Sequence, residues 1–474
     1  MLRPWKLEIQ LDPQSEKAIY LQIADIIIQD IQTGRLKAGD ALPSSRQLAA
    51  DLSVNRNTVV DALNVLINEG WIEAKPRKGA FVADVLPSLQ TRKQTIHTPE
   101  NKGHIHLYFD DGFPDSKIAP VTELARAYRK IFNQKARWQL MGYNNELGDE
   151  SFRKVVAQML NHQRGMQVTA SDICITRGSQ MATYLAAHCL LSPGDQVIVE
   201  SPGYRPAWKA LENAGAQLIP IAVDKEGIVI DDIISCLQSH QKIKAIYITP
   251  HHQYPTTVTL SLQRRQALIR LSNEYGCTIV EDDYDNEFHF GYRPVLPLAS
   301  FAELKHYAYI GTMSKVVAPA LRIGYLVSND RAVMKKVAAL RKIIDVQGDA
   351  MMEQAVLELI NDGTIKKHIR KATLFYKNKR DKTLQLLEKY LKGKADYEVP
   401  EGGLAFWIVP KQTINWPKVA TELLAKGIKI NTPDNYSDDA TLNGFRFGYG
   451  ALSEVQLEEG IKALSAYMPG MNRS

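Results

Sequence analysis

Four cysteines, Cys174, Cys189, Cys236 and Cys277, are all that 474 residues hold, and they stand 15, 47 and 41 residues apart. Such spacing offers neither a Cys-x-x-Cys metal clip nor a dense disulfide frame, so buried reduced thiols and no metal site are expected. Long apolar runs are also missing. No stretch reaches the roughly 18 uninterrupted apolar residues of a membrane span, and the start, MLRPWKLEIQLDPQSEKA, lacks the apolar block of a signal peptide. A cytoplasmic protein with no membrane partner is expected. Glycine and proline number only 29 and 22, which excludes a fibrous or low-complexity chain. Charge of one sign is scarce as well: 58 Lys and Arg stand against 52 Asp and Glu, a net +6. Residues 1–93 hold 12 against 11, and the rest 46 against 41, so any nucleic-acid contact must come from local patches.

What is present is an ordinary globular composition, 45% hydrophobic and 23% charged, long enough for about three folding units. In AIYLQIADIIIQDIQTGRL, Tyr20, Ile23, Ile27 and Ile31 recur at helical spacing until Gly34 and Gly39 break the pattern. Leu42-Pro43-Ser44-Ser45-Arg46-Gln47 then places a serine cap before a short helix. Asp51-Leu52-Ser53-Val54-Asn55 turns the chain into RNTVVDALNVLINEG, which Gly70 ends. Two short helices about a tight turn predict a helix-turn-helix. Trp71–Ala74 and Ala80–Val82 follow as two strands around a basic hairpin, Lys75-Pro76-Arg77-Lys78-Gly79. The sequence therefore divides into residues 1–84, a polar aperiodic linker over 85–104, and a body over 105–474.

In the body, helical stretches such as SFRKVVAQMLNHQRG alternate with short apolar runs: DQVIVE, AIYIT, CTIVEDDY and YAYIGT. That alternation predicts βα units on a largely parallel sheet. KIKINTP and NGFRFGYG add late strands that predict a smaller α+β lobe.

Several segments could carry chemistry at the ends of those strands. In Gly311-Thr312-Met313-Ser314-Lys315, small and apolar neighbours could desolvate the lysine and free its amine for a Schiff base. A surface lysine at a strand end is the commoner fate of such a pair. Ile279-Val280-Glu281-Asp282-Asp283-Tyr284 puts acids and a tyrosine just past an apolar strand, where open α/β sheets gather ligand groups. These acids could equally cap the next helix or pair with Arg293. Thr176-Arg177-Gly178-Ser179-Gln180 opens a helix after the strand ICIT and could make a phosphate cradle, although any such connection can use a Gly-Ser turn. Tyr204, in Pro202-Gly203-Tyr204, could stack on a flat ring or lie in the core.

Cradle, tyrosine, acid with tyrosine, and lysine with Arg322 occur in this order, and the whole resembles the fold-type I pyridoxal 5'-phosphate (PLP) enzymes, the aspartate aminotransferase superfamily, over roughly 105–474. The resemblance implies a PLP Schiff base on Lys315, Asp282 against the pyridine nitrogen, Tyr284 on the phenolic oxygen and Tyr204 on the ring. It implies Ser179, Gln180, Thr312, Ser314 and Arg322 around the phosphate, joined by Tyr143 across a domain-swapped homodimer. Arg446, in Phe445-Arg446-Phe447-Gly448, matches the family's carboxylate-binding arginine, and Arg205 is its expected partner toward a small amino-compound effector.

Residues 1–84 resemble the GntR winged helix-turn-helix through LPSSRQLAADLSVNRNTVVDALNVLINEGWIEAKPRKGAFV. That implies promoter DNA as a partner, faced by Ser44, Arg46, Arg56, Asn57 and Thr58, with Arg77, Lys78 and Gly79 in the wing. Val60 stands where a basic residue is frequent. The fusion resembles the MocR regulators. His252-Gln253-Tyr254-Pro255-Thr256 is similar to their loop near the phenolic oxygen, with Gln253 toward the cofactor and Thr257 where glycine is usual. The expected fold is thus multidomain: an N-terminal winged helix-turn-helix plus an α/β fold-type I PLP-dependent transferase-like domain with a smaller C-terminal α+β lobe. The expected function is a PLP-dependent, DNA-binding transcription regulator that senses an amino compound, or PLP itself. An active class I/II aminotransferase carrying a DNA-binding domain is the competing expectation, and a metabolic transaminase has no need of a recognition helix.

Overall fold

Ile23, Ile27 and Ile31 lie on one face of helix α1 (Ile19–Gln32) and are buried, as their spacing requires. The computed structural model describes residues 9–12, 15, 17–75, 79–87, 105–133, 138, 141–239, 242–291, 295–315 and 317–469. The chain forms two units, Met1–Glu100 and Asn101–Ser474. In the first, the Ser44 hydroxyl accepts from the Gln47 N–H at 3.2 Å and starts α2 (Ser45–Leu52). Ser53 takes the left-handed conformation, φ 54°, which ends α2 and makes the tight turn. Asn55 then accepts from the Asn57 N–H at 2.9 Å to open α3 (Arg56–Asn68).

Strands β1 (Ile72–Lys75) and β2 (Gly79–Val82) pair antiparallel, with Ile72 opposite Val82. Trp71, expected to begin the first strand, instead packs with Ile27, Leu48, Val59 and Leu66 in the core of this unit. Arg77 and Lys78 lie outside the described residues, as does 88–104 of the expected linker.

The second unit opens with β3 (Leu107–Tyr108), α4 (Val121–Asn133) and α5 (Glu150–Arg164). It continues through β4 (Ile173–Thr176), α6 (Ser179–Leu190), β5 (Gln196–Ser201), α7 (Arg205–Asn213), β6 (Gln217–Asp224), β7 (Gly227–Ile228) and α8 (Ile230–Ser239). Then come β8 (Ile243–Ile248), α9 (Leu262–Tyr275), β9 (Thr278–Asp283), β10 (Tyr307–Thr312) and β11 (Gly324–Val327). Helices α10 (Arg331–Ile344), α11 (Ala350–Asn361) and α12 (Thr364–Leu391) lead to the last lobe. That lobe holds β12 (Ala395–Tyr397), β13 (Ala405–Pro410), α13 (Trp416–Ala425), β14 (Ile428–Lys429), β15 (Phe445–Gly448) and α14 (Glu454–Ser465).

The eight-stranded sheet runs β4-β11-β10-β9-β8-β5-β6-β7. Its central pairs, β10–β9, β9–β8, β8–β5 and β5–β6, are parallel, while β11 is antiparallel to both β10 and β4. Strands ICIT and YAYIGT are buried throughout, so both faces are covered: one by a cluster including Ile198, Ile246 and Ile279, the other by one including Val197, Ala245 and Val280. The smaller lobe is built on β12-β13-β15 and includes an unforeseen parallel pair, β14 with β3, joining Ile428 to Leu107. The start of this unit therefore belongs to the end of the chain in space. Among the described residues no helix is long and apolar enough to cross a membrane, and no group of His, Cys, Asp or Glu could hold a metal ion.

Candidate functional site

A parallel sheet points its strand ends, and the turns that follow them, to one edge. The turns after β4, β5, β8, β9 and β10 deliver Ser179, Tyr204, Thr249, Tyr284, Ser314 and Lys315 to a single cavity of about 820 Å³. Asp282, Thr312, Arg205 and Arg322 line it too. The cavity also takes Tyr108 and Asp111 from the first segment of the unit, and Lys429, Asn431 and Asp434 from the last lobe. None of these five was foreseen, because they belong to no strand-end motif.

Lys315 Nζ lies 4.4 Å from the centre of the Tyr284 ring. Burial holds its amine below the ordinary lysine value, against the pull of the Asp285 carboxylate. Asp282 is buried and accepts from the Tyr247 hydroxyl at 2.8 Å through Oδ2, while Oδ1 has no hydrogen-bond partner among the described residues. Burial raises its pKa to about 7, opposed by the Tyr247 hydrogen bond and reinforced by Asp283. An unsatisfied buried acceptor on a cavity wall asks for a donor from whatever fills the cavity.

At the mouth of α6, Gly178 adopts φ +81°, and a Cβ there would sit 2.7 Å from the Arg322 guanidinium. Only glycine therefore lets that guanidinium, which donates to the Arg177 carbonyl at 3.0 Å, lie against the turn. Ser179, the first residue of the helix, and Arg322 bring donors to this corner, while Thr312 and Ser314 wall it with hydroxyls that donate to the Ile323 carbonyl at 3.0 and 3.4 Å.

The acids of β9 divide the expected roles among themselves. Glu281 accepts the Leu298 and Ala299 N–H groups at 2.9 and 3.0 Å and so caps a short helical turn. Asp283 pairs with Arg164 at 2.6 Å; burial would raise its pKa, but His251 and Arg164 hold it well below the usual range. Arg293 lies outside the described residues. Asp282 alone of the three lines the cavity. Behind Tyr284, His252 and the buried Asp285 pair at 2.8 Å.

Four of the expected site residues do not line the cavity. The Gln180 amide donates sideways to the Pro206 carbonyl at 2.8 Å, leaving only its first-turn backbone N–H for an anion. Gln253 is buried, donating to the Pro202 and Tyr254 carbonyls at 2.8 and 2.7 Å and accepting from Thr256, so it braces its loop. In that loop Thr257 holds φ 64°, the left-handed conformation for which the usual glycine is suited. Arg446 is buried, with Nε and one terminal nitrogen on the carbonyls of Asp111 and Pro255 at 3.0 and 2.9 Å. Its remaining nitrogen reaches the Tyr284 hydroxyl at 3.3 Å, and that hydroxyl donates to the His252 carbonyl at 2.8 Å. Tyr143 is 90% exposed. Arg205, by contrast, stands at the cavity wall and pairs with Asp438 at 2.7 Å.

In the first unit, Ser44, Arg46, Arg56 and Asn57 are exposed and Thr58 is half-buried, around the α2–α3 turn. Arg56 Nε lies 3.5 Å from the Ser45 hydroxyl. Gly79 begins β2 with φ +105°. One surface thus presents a short row of donors at the start of α3.

Comparison with known proteins agrees with both halves. Residues 112–464 match the pattern of aminotransferase class I and II, and residues 19–82 that of the bacterial regulatory proteins of the gntR family. The probable rhizopine catabolism regulatory protein MocR of Rhizobium meliloti is 26% identical over 97% of this chain and 95% of its own. The HTH-type transcriptional regulator TauR of Rhodobacter capsulatus is 26% identical over 96% and 97%. Among solved structures, Pyrococcus horikoshii kynurenine aminotransferase in complex with PMP superposes with a TM-score of 0.71 and 27% identity, covering 76% of this chain and 90% of that one.

Proposed function

The chain belongs to the aminotransferase class I and II family and carries a GntR-family domain ahead of it, the fused arrangement of the MocR-type regulators, and from this premise we propose that it is a PLP-dependent transcription regulator responding to a small amino compound. The observation that carries the reading is the meeting of Lys315, whose amine is held toward neutrality, with the unpaired Oδ1 of Asp282 in one cavity. PLP, when bound, supplies an aldehyde that condenses reversibly with primary amines.

The residues present fit that group. Ser179, Arg322 and the first-turn N–H groups of α6 provide donors for a phosphate, and Thr312 and Ser314, their hydroxyls turned to the Ile323 carbonyl, wall the same corner. Asp282 offers a carboxylate to a pyridine N–H, and Tyr247 keeps that carboxylate oriented. Tyr204 lines the wall with an aromatic face, fixed edge-on against Tyr254 at 5.0 Å between ring centres. Tyr284 has its hydroxyl proton committed to the His252 carbonyl, so Arg446 and the loop braced by Gln253 position it. Lys315 would hold the aldehyde carbon of PLP through its ε-amine, and a primary amine on the effector would compete with it for that carbon. Arg205 at the wall is the anchor for an anionic end of that effector, with Arg446 acting through Tyr284. In a homodimer the exposed Tyr143 is available to the second copy. The start of α3 meets promoter DNA, where Arg46, Arg56 and Asn57 can reach bases or phosphates.

The test is spectroscopic. Purified protein incubated with PLP is expected to show the visible absorbance of lysine-attached cofactor, and Lys315→Ala to lose that band while keeping its far-ultraviolet circular dichroism. An unchanged band in the pure variant would overturn the assignment of Lys315.

A further inference from the structure

Helix α12 is charged in an unusual way. Its first four to five turns, residues 364–380, hold seven Lys and Arg and no Asp or Glu. Two of the seven are spoken for: Lys379 is buried with Nζ on the Gly450 carbonyl at 2.6 Å, and Arg380 pairs with Asp381. The other five, Lys366, Lys367, Arg370, Lys371 and Lys377, are exposed, and no carboxylate pairs with them among the described residues. Further along the same helix the pattern reverses. Lys382 and Lys389 both pair with glutamates of α14, Glu454 and Glu458.

The five free cations are not scattered. At about 100° per residue they fall within roughly 140° of arc, and from Lys366 to Lys377 they run about 16 Å along the axis. The buried side chains Ile365, Ala372, Tyr376 and Thr383 occupy the opposite face. This layout costs local stability. Lys366 with Arg370, and Lys367 with Lys371, are like-charge pairs one turn apart, and the cluster sits in the first turns of the helix, where the backbone dipole favours acids. Only Asp362, accepting from the Thr364 N–H at 2.8 Å, offsets it there. Sequence choices that work against the helix and pair with no carboxylate among the described residues point outward.

The charge distribution says toward what. In Met1–Glu100, 12 Lys and Arg balance 12 Asp and Glu, so the unit holding the helix-turn-helix has no net charge; the +6 of the chain is carried by Asn101–Ser474. Non-specific affinity for duplex DNA comes from cations placed along phosphates, one released counterion for each. A uniformly cationic face also cannot be its own partner across a two-fold axis, since each charge would meet its like.

We propose that the exposed face of α12 formed by Lys366, Lys367, Arg370, Lys371 and Lys377 is a second, sequence-independent contact to the DNA phosphate backbone, made by the aminotransferase-like body. The inference rests on the DNA-binding reading above. It assigns the long-range electrostatic part of DNA affinity to the body and leaves sequence reading to α3.

The test uses the full PLP-loaded chain and a long mixed-sequence DNA duplex, with affinity measured over a series of salt concentrations. In the variant K366Q/K367Q/R370Q/K371Q, glutamine keeps helix propensity. The slope of log affinity against log salt is expected to become shallower by about 3 to 4 per chain, at about 0.9 for each lost phosphate contact. Replacing the three lysines by arginine instead should preserve the slope. Circular dichroism, the visible cofactor absorbance and the light-scattering mass are measured on each variant to certify fold and assembly. An unchanged slope in the correctly folded glutamine variant would overturn this inference and leave the regulator reading standing. So would a loss confined to vesicles of anionic lipid. Absence of duplex affinity in the unmodified chain would overturn both.

Discussion

Asp282 illustrates what a single buried residue contributes here. Its carboxyl, like those of Glu200 and Glu353, is pushed up to about 7 by burial, whereas in the unfolded chain these groups titrate near 4. Between about pH 4 and 7 the folded protein therefore holds protons that the unfolded chain has released. The stability they contribute is complete below the unfolded value and is lost as pH rises through 7. Asp283 and Asp285, held low by His251 with Arg164 and by His252 respectively against the effect of burial, have the opposite sign, but their window lies below the ordinary carboxylate range. The melting temperature of cofactor-free protein should thus fall from about pH 5.5 to 8, and Asp282→Asn should make that decline shallower, by up to one proton in the linkage slope. Differential scanning calorimetry at several pH values checks it; parallel curves for the two proteins would show that Asp282 is ionised without a ligand. A cationic ring N–H opposite Oδ1 would draw the carboxyl back to its charged form.

At the scale of elements, the strand-end turns were legible because a parallel sheet converts sequence order into spatial convergence. ICIT, DQVIVE, CTIVEDDY and YAYIGT became strands of one sheet, and Ser179, Tyr204, Asp282, Tyr284 and Lys315 met at its edge. Tyr108, Asp111, Lys429 and Asn431 were not legible. They reach the cavity through the β3–β14 pairing, a contact between segments more than 300 residues apart that no local pattern encodes. Gln253 and Arg446 were recognisable as residues of their motifs, but their directions were not. Which way a buried amide or guanidinium turns depends on carbonyls at Pro202, Pro255 and Asp111, supplied by other loops.

The helix-turn-helix was readable down to the serine cap of α2, while Asn55, read as part of the turn, also caps α3. Arg56→Ala should lower affinity for an operator selected from a random DNA pool by about 1–3 kcal/mol and relax the preference at one base position, with the cofactor absorbance unchanged. Retained affinity and preference in a binding assay would move the recognition surface away from the start of α3.

For the whole molecule, the proposed regulator requires that amine chemistry in Asn101–Ser474 be reported by DNA binding in Met1–Glu100. A sensor requires only that the effector prefer one arrangement of the protein over another; the coupling is then reciprocal, so DNA must change effector affinity by the factor by which effector changes DNA affinity. Efficient proton transfer and release of a keto acid are not required. The cavity has Lys315 on its wall, and the buried Arg446 is engaged with two carbonyls and the Tyr284 hydroxyl.

The most direct measurement is a titration of candidate amino compounds, γ-aminobutyrate and taurine among them, into PLP-loaded protein in the presence of operator DNA. Visible absorbance, DNA affinity and keto-acid product are followed in the same sample. The regulator account predicts a saturable spectral change accompanied at the same concentration by altered DNA affinity, with little product. Product formed at about 1 to 1,000 per second, the ordinary enzymatic range, with DNA affinity unmoved would contradict it and make the chain a working aminotransferase.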